Sequence, residues 1–474
     1  MRVKTVQREF RGIHMEPPNN SSRRENSHVA RQNRARLPTT CKQVFCIALA
    51  TALSISSVSV SAATKSDQAL EFLSLAQART LAVEDNPSLA QMQARYEALS
   101  KIPSQAGTLP DPVLSLNAMN LPTDSFDLEQ EAMTQMQIGI SQEFPFPGKL
   151  SLREEAAEYT AEAARHSVEE MRLRLTNNVS MKWWQVFYLD RALDTVDSNQ
   201  KLLRQFVEVA RKKYEVGSGL QQDVLLAQLE LSKFIDQKIQ LTGMRQNQAI
   251  QLNVLMGQPG NVAVTLPSEV MKDMPNIADE EVLYARADSS RPLLMQQERN
   301  IDAAQARLSL AEREYYPDFK VGLTYGDRQG NNPPPRNDSR SDFVSVMFGI
   351  KIPLYAGRKQ SMAVKQRSSE LASNRYALQD TGNVIRGDIS SAVTDYKRAR
   401  EQFSLFETGI VPQARQTVAS MLAGYQVSQV DFLNLVRSQV TLFNYELQYW
   451  KALTEGKQAL ARLEAAVGEG AIYE

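Results

Sequence analysis

Cysteine and histidine are almost missing from this 474-residue chain. The two cysteines, Cys41 and Cys46, lie near the N-terminus, and of the histidines His14, His28 and His166 only the last lies beyond residue 28. Most of the chain therefore has no disulfide framework, no thiolate metal site and no histidine dyad. It also lacks a phosphate-cradling glycine loop and zinc-ligand spacing, so neither an enzyme nor a cofactor is expected. The paired acids Glu154-Glu155 and Glu169-Glu170 lie among basic residues and read as solvated ion-pairing faces. After residue 62 no apolar run reaches the ~18 residues of a membrane helix.

An excess of one charge is absent overall but present locally. Fifty-four Lys and Arg balance fifty-four Asp and Glu. Residues 1–62 hold ten of the bases and three of the acids, so the remainder is seven charges negative. That balance argues against nucleic-acid binding. The basic stretch precedes an apolar segment, Val44 to Val60, and then the small residues Ser61-Ala62-Ala63. This is the pattern of a cleaved export signal over 1–62, with cleavage after Ala62.

The rest of the chain is written twice. Tyr214-Glu215-Val216-Gly217, then Asp223 to Gln228, returns as Tyr425-Gln426-Val427-Ser428, then Asn434 to Gln439. Leu109-Pro110-Asp111-Pro112 answers Tyr316-Pro317-Asp318-Phe319, and Phe144 to Lys149 answers Ile352 to Lys359. A repeat of roughly 200 residues is too long for a solenoid unit and reads as a duplicated domain. The expected halves are 63–260 and 279–468, with a linker at 261–278 and a tail at 469–474.

Four segments alternate apolar and polar residues: around Leu114–Ala118, Met136–Ile140, Phe319–Tyr325 and Val344–Ile352. Each is about nine residues long, close to a tilted bilayer-spanning strand. Two soluble hairpins would show the same alternation, but the export signal and the pairing weigh against them. Four strands cannot close a barrel, and an open edge in lipid leaves backbone groups unpaired. Several chains must therefore pool their strands. Three would give an even twelve, and four would also close.

Between these segments the composition is helical. Residues 149–214 contain no proline and no glycine, and about 65 residues of helix span roughly 100 Å. In the second half Pro412 is the interior breaker, where a bend is expected. Ile385, Ile389, Ala392, Tyr396, Ala399, Phe403 and Phe406 step by 4 and 3, as do Val436, Val440, Phe443, Leu447 and Trp450. That spacing signals coiled-coil packing. Val216 to Gly219 and Val427 to Val430 interrupt the helices as tight turns, so each half is a long helical hairpin with its tip far from the strands.

In these paired Pro-Asp elements, proline-rich strand exits and Tyr-x-Val tips, the chain resembles the TolC-like outer-membrane efflux family, from about Leu73 to Gly468. The run from Asn120-Leu121-Pro122 to Met133, followed by Phe144 to Leu150, is most similar to conduits of heavy-metal pumps of the resistance-nodulation-division type. The resemblance implies a mainly α protein with a small β part. Three copies would form a twelve-stranded β-barrel in the outer membrane of a Gram-negative bacterium, continued by a long coiled-coil helical barrel in the periplasm. It implies a passive exit duct for metal cations or small toxic molecules, serving an inner-membrane pump through a periplasmic adaptor. A duct for type I protein secretion and an envelope coiled-coil scaffold are the alternatives.

The resemblance further implies adaptor docking at Val216, Gly217, Ser218, Val427, Ser428 and Gln429. Family members often close the entrance with acids just past the second tip. Here Asn434 and Arg437 hold those positions, and Asp431 is the nearest acid. Strand parity is expected to set Met119, Met133 and Met347 on the polar face with Ser115 and Gln137, opposite Met136. Thioethers suit soft cations such as Cu(I), but flexible methionines at strand ends tolerate either environment.

Overall fold

The computed structural model describes residues 72–84, 86–468 and 472–473. The expected export signal lies outside the described residues. The first half runs α1 (Leu75–Glu84), α2 (Pro87–Leu99), α3 (Ile102–Gly107), β1 (Val113–Met119), β2 (Gln135–Phe144), α4 (Lys149–Glu215) and α5 (Gln221–Leu255). The second runs α6 (Glu280–Ser290), α7 (Pro292–Arg313), β3 (Asp318–Asp327), β4 (Phe343–Lys351), α8 (Gln360–Leu405), a π-helical turn (Phe406–Ile410), α9 (Val411–Gln426) and α10 (Phe432–Val467).

The start of α2 follows from its sequence. The Asn86 side chain accepts from the Ser88 and Leu89 amides, and Pro87 takes the first turn, where a missing N–H costs nothing. The 67 residues of α4 place its ends about 100 Å apart. Among the described residues no helix is long and apolar enough to cross a membrane.

The four strands form one antiparallel sheet in the order β1-β2-β3-β4. Both outer strands, β1 and β4, are open edges within the chain. Alternation produces an apolar face that lies open: Leu116 is 74% exposed and Val346 75%. On the other face, a Cβ on Gly139 would meet Ser115 Oγ and Thr324 Oγ1, so the hydroxyls of β1 and β3 close over β2 there.

The heptad residues of α8 are buried, from Ile385 through Ala392 and Tyr396 to Phe403, and they face α10 and the 270s segment. Tyr396 OH donates to the Pro275 carbonyl at 2.5 Å. A second core lies toward the tips, where Phe234 meets Phe443 edge-on and Phe206, Phe432 and Leu435 are enclosed. The linker and tail are tied together. Ile277 bridges Tyr473, the Ala278 amide donates to the Ile472 carbonyl, and Ile472 is fully buried.

Two expectations need correction. The break in the second long helix begins before Pro412, at the π-helical turn, where the Val411 amide bonds back to the Phe406 carbonyl. Its origin is visible in the repeat. Buried positions Ala161, Leu175, Val179, Val186, Leu189 and Val196 match Leu371, Ile385, Ile389, Tyr396, Ala399 and Phe406 at a spacing of 210, whereas past the turn Gln200 matches Val411 at 211. The second half thus carries one inserted residue, which a π-turn absorbs without rotating the core face outward. Glu170, in turn, is not on a solvated face. It is 4% exposed and accepts from Arg291 and Arg174, each at 2.8 Å.

Candidate functional site

At the far end of the long helices the chain reverses twice with the same backbone. After α4 the amides of Gly217 and Ser218 bond back to the carbonyls of Tyr214 and Lys213. After α9 the amides of Ser428 and Gln429 bond to those of Tyr425 and Gly424. The middle residue of each tip is left-handed, Gly217 at φ 74° and Ser428 at φ 60°. Glycine takes that conformation freely, whereas an L-residue pays about 1–2 kcal/mol. Around Gly217 an added Cβ would meet nothing, so that turn is open to solvent. Val216 and Val427 project outward, 76% and 64% exposed.

Ser428 makes a contact that Gly217 cannot. Lys213, about one turn before the first tip, donates to the Ser428 hydroxyl at 2.9 Å and to the Tyr425 carbonyl at 2.6 Å. Its ammonium also lies 4.5 Å from the Tyr425 ring centroid. The two tips are thereby tied across the repeat. The Tyr425 ring is 4% exposed, and its buried hydroxyl lies beside the Asp223 carboxyl without reaching hydrogen-bond geometry. Burial, then the Asp223 charge, pushes the Tyr425 hydroxyl up to about 12. Burial likewise raises Asp223, with Asp431 adding to the rise and Lys213 opposing it.

Asp431 is the N-cap residue of α10, yet its side chain makes no capping hydrogen bond. Asp431, Asn434 and Arg437 are all exposed and follow one another at three-residue steps, which puts them on one side of the helix. Lys213, Asp223 and Tyr425 were not legible as site residues. Tyr214 and Tyr425 are repeat equivalents, but Tyr214 is 49% exposed and Tyr425 is enclosed. No sequence signal separates them.

At the sheet, Met119 and Met347 do lie on the polar face. Met119 pairs with Gln135, and Met347 pairs with Gly322, which pairs in turn with Ser141. Met136 pairs with Ala118 on the opposite face. Met133 is corrected: it lies in the loop before β2, so strand parity does not orient it. Met119 and Met347 are also far apart. Met347 is level with Val113, six residues from Met119, or about 20 Å along the strands. Among the described residues no group of three His, Cys, Asp or Glu is arranged to hold a metal ion.

Relatives share this architecture. The chain is 22% identical over 403 residues to the cobalt-zinc-cadmium resistance protein CzcC of Cupriavidus metallidurans, covering 84% of this chain and 90% of that protein. It superposes on the outer membrane protein VceC from Vibrio cholerae with a TM-score of 0.70 at 18% identity, covering 84% and 96% of the two chains. CusC, a transmembrane channel, superposes with a TM-score of 0.66 at 16% identity, covering 84% and 92%. The family described as outer membrane efflux protein matches residues 78–258 and 283–469, one stretch in each repeat. With most of both halves matched, the chain belongs to the outer membrane efflux protein family, whose members are outer-membrane channels of efflux systems and not enzymes.

Proposed function

We propose that three copies of this chain form a closed duct, with their four-stranded sheets pooled into a twelve-stranded barrel and their helical hairpins extending into the periplasm. One observation carries the reading: a four-stranded sheet with two open edges and an exposed apolar face. In lipid each unpaired backbone group costs several kcal/mol, so the edges must be paired by other copies. Three copies supply an even twelve strands.

The tips, about 100 Å from the strands, are the docking sites for a periplasmic adaptor. Val216, Gly217, Ser218, Val427, Ser428 and Gln429 form a small exposed surface that a partner's helical tips can approach closely. The adaptor links the duct to an inner-membrane pump of the resistance-nodulation-division type. Likeness to CzcC supports metal cations as cargo. Asp431 supplies negative charge where cations enter.

Native mass measurement of the detergent-extracted outer-membrane fraction tests the assembly. A trimer is expected, and a soluble monomer would overturn it. Gly217→Asp tests the docking. Its left-handed backbone disfavours a side chain, and the new carboxylate sits where the partner must approach. Metal tolerance should be lost with the trimer intact; unchanged tolerance would remove the tips from the interface.

A further inference from the structure

Where the strands join the long helices, the exit of the first repeat's hairpin is fastened to the entry of the second repeat's hairpin. Lys149 opens α4 and is 1% exposed. Its ammonium donates to Asp318 Oδ1 at 2.8 Å and to the Tyr316 carbonyl at 2.9 Å, with Glu314 at 3.4 Å. The same Asp318 oxygen accepts from the Phe146 amide at 2.9 Å. Phe146 stacks on Tyr316 with centroids 4.5 Å apart. The exit of β2 is thus riveted to the entry of β3 by a buried ion pair and an aromatic stack.

The duplication supplies every part of this joint a second time. Asp111 stands where Asp318 stands in the Pro-Asp element, and Leu109 where Tyr316 stands. The 210-residue spacing of the buried helix positions carries Lys149 onto Lys359, and Leu354 answers Phe146. In the single chain these counterparts are idle. Leu354 is 81% exposed, Leu109 is 43% exposed, and Asp111 and Lys359 are both exposed. Among the described residues neither Asp111 nor Lys359 makes a side-chain hydrogen bond or ion pair. They do not meet within the chain, because Asp111 precedes β1 and Lys359 follows β4, the opposite edges of the sheet. Three strand spacings put those edges about 14 Å apart.

We propose that Lys359 of one copy donates to Asp111 of the neighbouring copy, repeating between subunits the Lys149–Asp318 rivet within each chain. The same equivalence sets the register of the intersubunit ladder. Since Phe144 pairs with Phe319, Lys351 pairs with Val113 of the neighbour, and Ser345 with its Met119. In this register Gly349 meets Ser115 and Met347 meets Asn117 on the polar face, while Phe348 meets Leu116 on the apolar one. A slip of one residue would set polar against apolar positions. The partner is a second copy of this chain because the two complementary edges belong to one sequence, a head-to-tail arrangement that closes as a ring.

The inference rests on the oligomeric barrel proposed above, and the experiment separates the two. Two differently tagged full-length chains are coexpressed, one carrying Asp111→Cys and the other Lys359→Cys. Cys41 and Cys46, the native cysteines, precede residue 62 in the expected leader. A short bismaleimide should give a covalent species bearing both tags, whereas two chains each carrying Asp111→Cys should give none. In parallel, Asp111→Lys or Lys359→Asp alone should lower the oligomer fraction roughly ten-fold or more, and the double reversal should restore it. Monomeric unsubstituted protein would overturn the barrel itself. An oligomeric unsubstituted protein that yields no doubly tagged species would overturn the rivet alone. The cysteine pair decides this even where a charge reversal blocks folding.

Discussion

Removing Lys213 should loosen the tips. Lys213→Met keeps most of the aliphatic stem but deletes the ammonium that holds the Tyr425 carbonyl at 2.6 Å and the Ser428 hydroxyl at 2.9 Å. Hydrogen bonds from a charged donor contribute about 1.5–3 kcal/mol each, and an exposed cation–π contact ~0.5–1. Lys213 is half-exposed and the unlatched tip can bond to water, so the net loss falls near the lower end of one such bond, about 1.5–2 kcal/mol. Local opening of the second tip then becomes roughly 10- to 30-fold more frequent. The amides of Ser428 and Gln429 report it directly, since both bond back into α9. Their hydrogen exchange should accelerate by that factor while amides in the middle of α4 stay unchanged. Single-channel conductance of the assembled duct should rise in the same variant, and Lys213→Arg should recover part of the protection. Unchanged exchange at Ser428 and Gln429, with the variant fully folded, would refute the latch.

Three further outcomes follow from the geometry. Burial raises the Asp223 carboxyl above its ordinary 3.8, so the folded tip favours the protonated form. Its stabilisation is complete below 3.8 and is lost as pH rises through the elevated value. The protection factors of the tip amides, with the intrinsic pH dependence of exchange divided out, should therefore fall across the window just above pH 3.8, and Asp223→Asn should flatten that fall; pH-independent protection in the unsubstituted protein would oppose this. Glu170→Leu strands the nearly buried Arg291 guanidinium, a loss of about 3–5 kcal/mol, whereas Glu170→Leu with Arg291→Met should lose much less. Thermal unfolding in detergent checks the pair, and equal stability of all three proteins would remove the ion pair from the ledger. Asp431→Asn should lower cation selectivity in planar bilayers with little change in melting, because the Asp431 side chain makes no capping bond; a melting shift without a selectivity change would return it to a helix-terminal role.

The fold class was legible from residue periodicity. Period two marked four strands because alternating side chains face opposite sides of a pleated ribbon, and those segments are the strands of the sheet. The 4-3 steps of Ile385 to Phe406 marked a buried seam because only that spacing keeps one helix stripe facing its neighbour. The tips were legible because a left-handed turn between proline-free helices leaves a glycine signature at Gly217, which its repeat partner Ser428 follows in backbone if not in residue type. These are local properties of the chain, and each is encoded within a few residues of where it acts.

What the sequence did not contain is which copy of a duplicated residue is enclosed and what it touches. Lys149 and Lys359 read alike, but Lys149 meets Asp318 because β2 and β3 are neighbours in the sheet, while β4 is left at an edge. Tyr214 and Tyr425 read alike, but only Tyr425 is covered, by Lys213 and beside Asp223. Glu170 looked solvated until α7 brought Arg291 against it. Met133 followed the strand alternation on paper, but β2 begins two residues later. Each of these outcomes depends on contacts between segments tens to hundreds of residues apart. Chain topology decides them, since a local pattern sets which way a side chain points and not what stands opposite it.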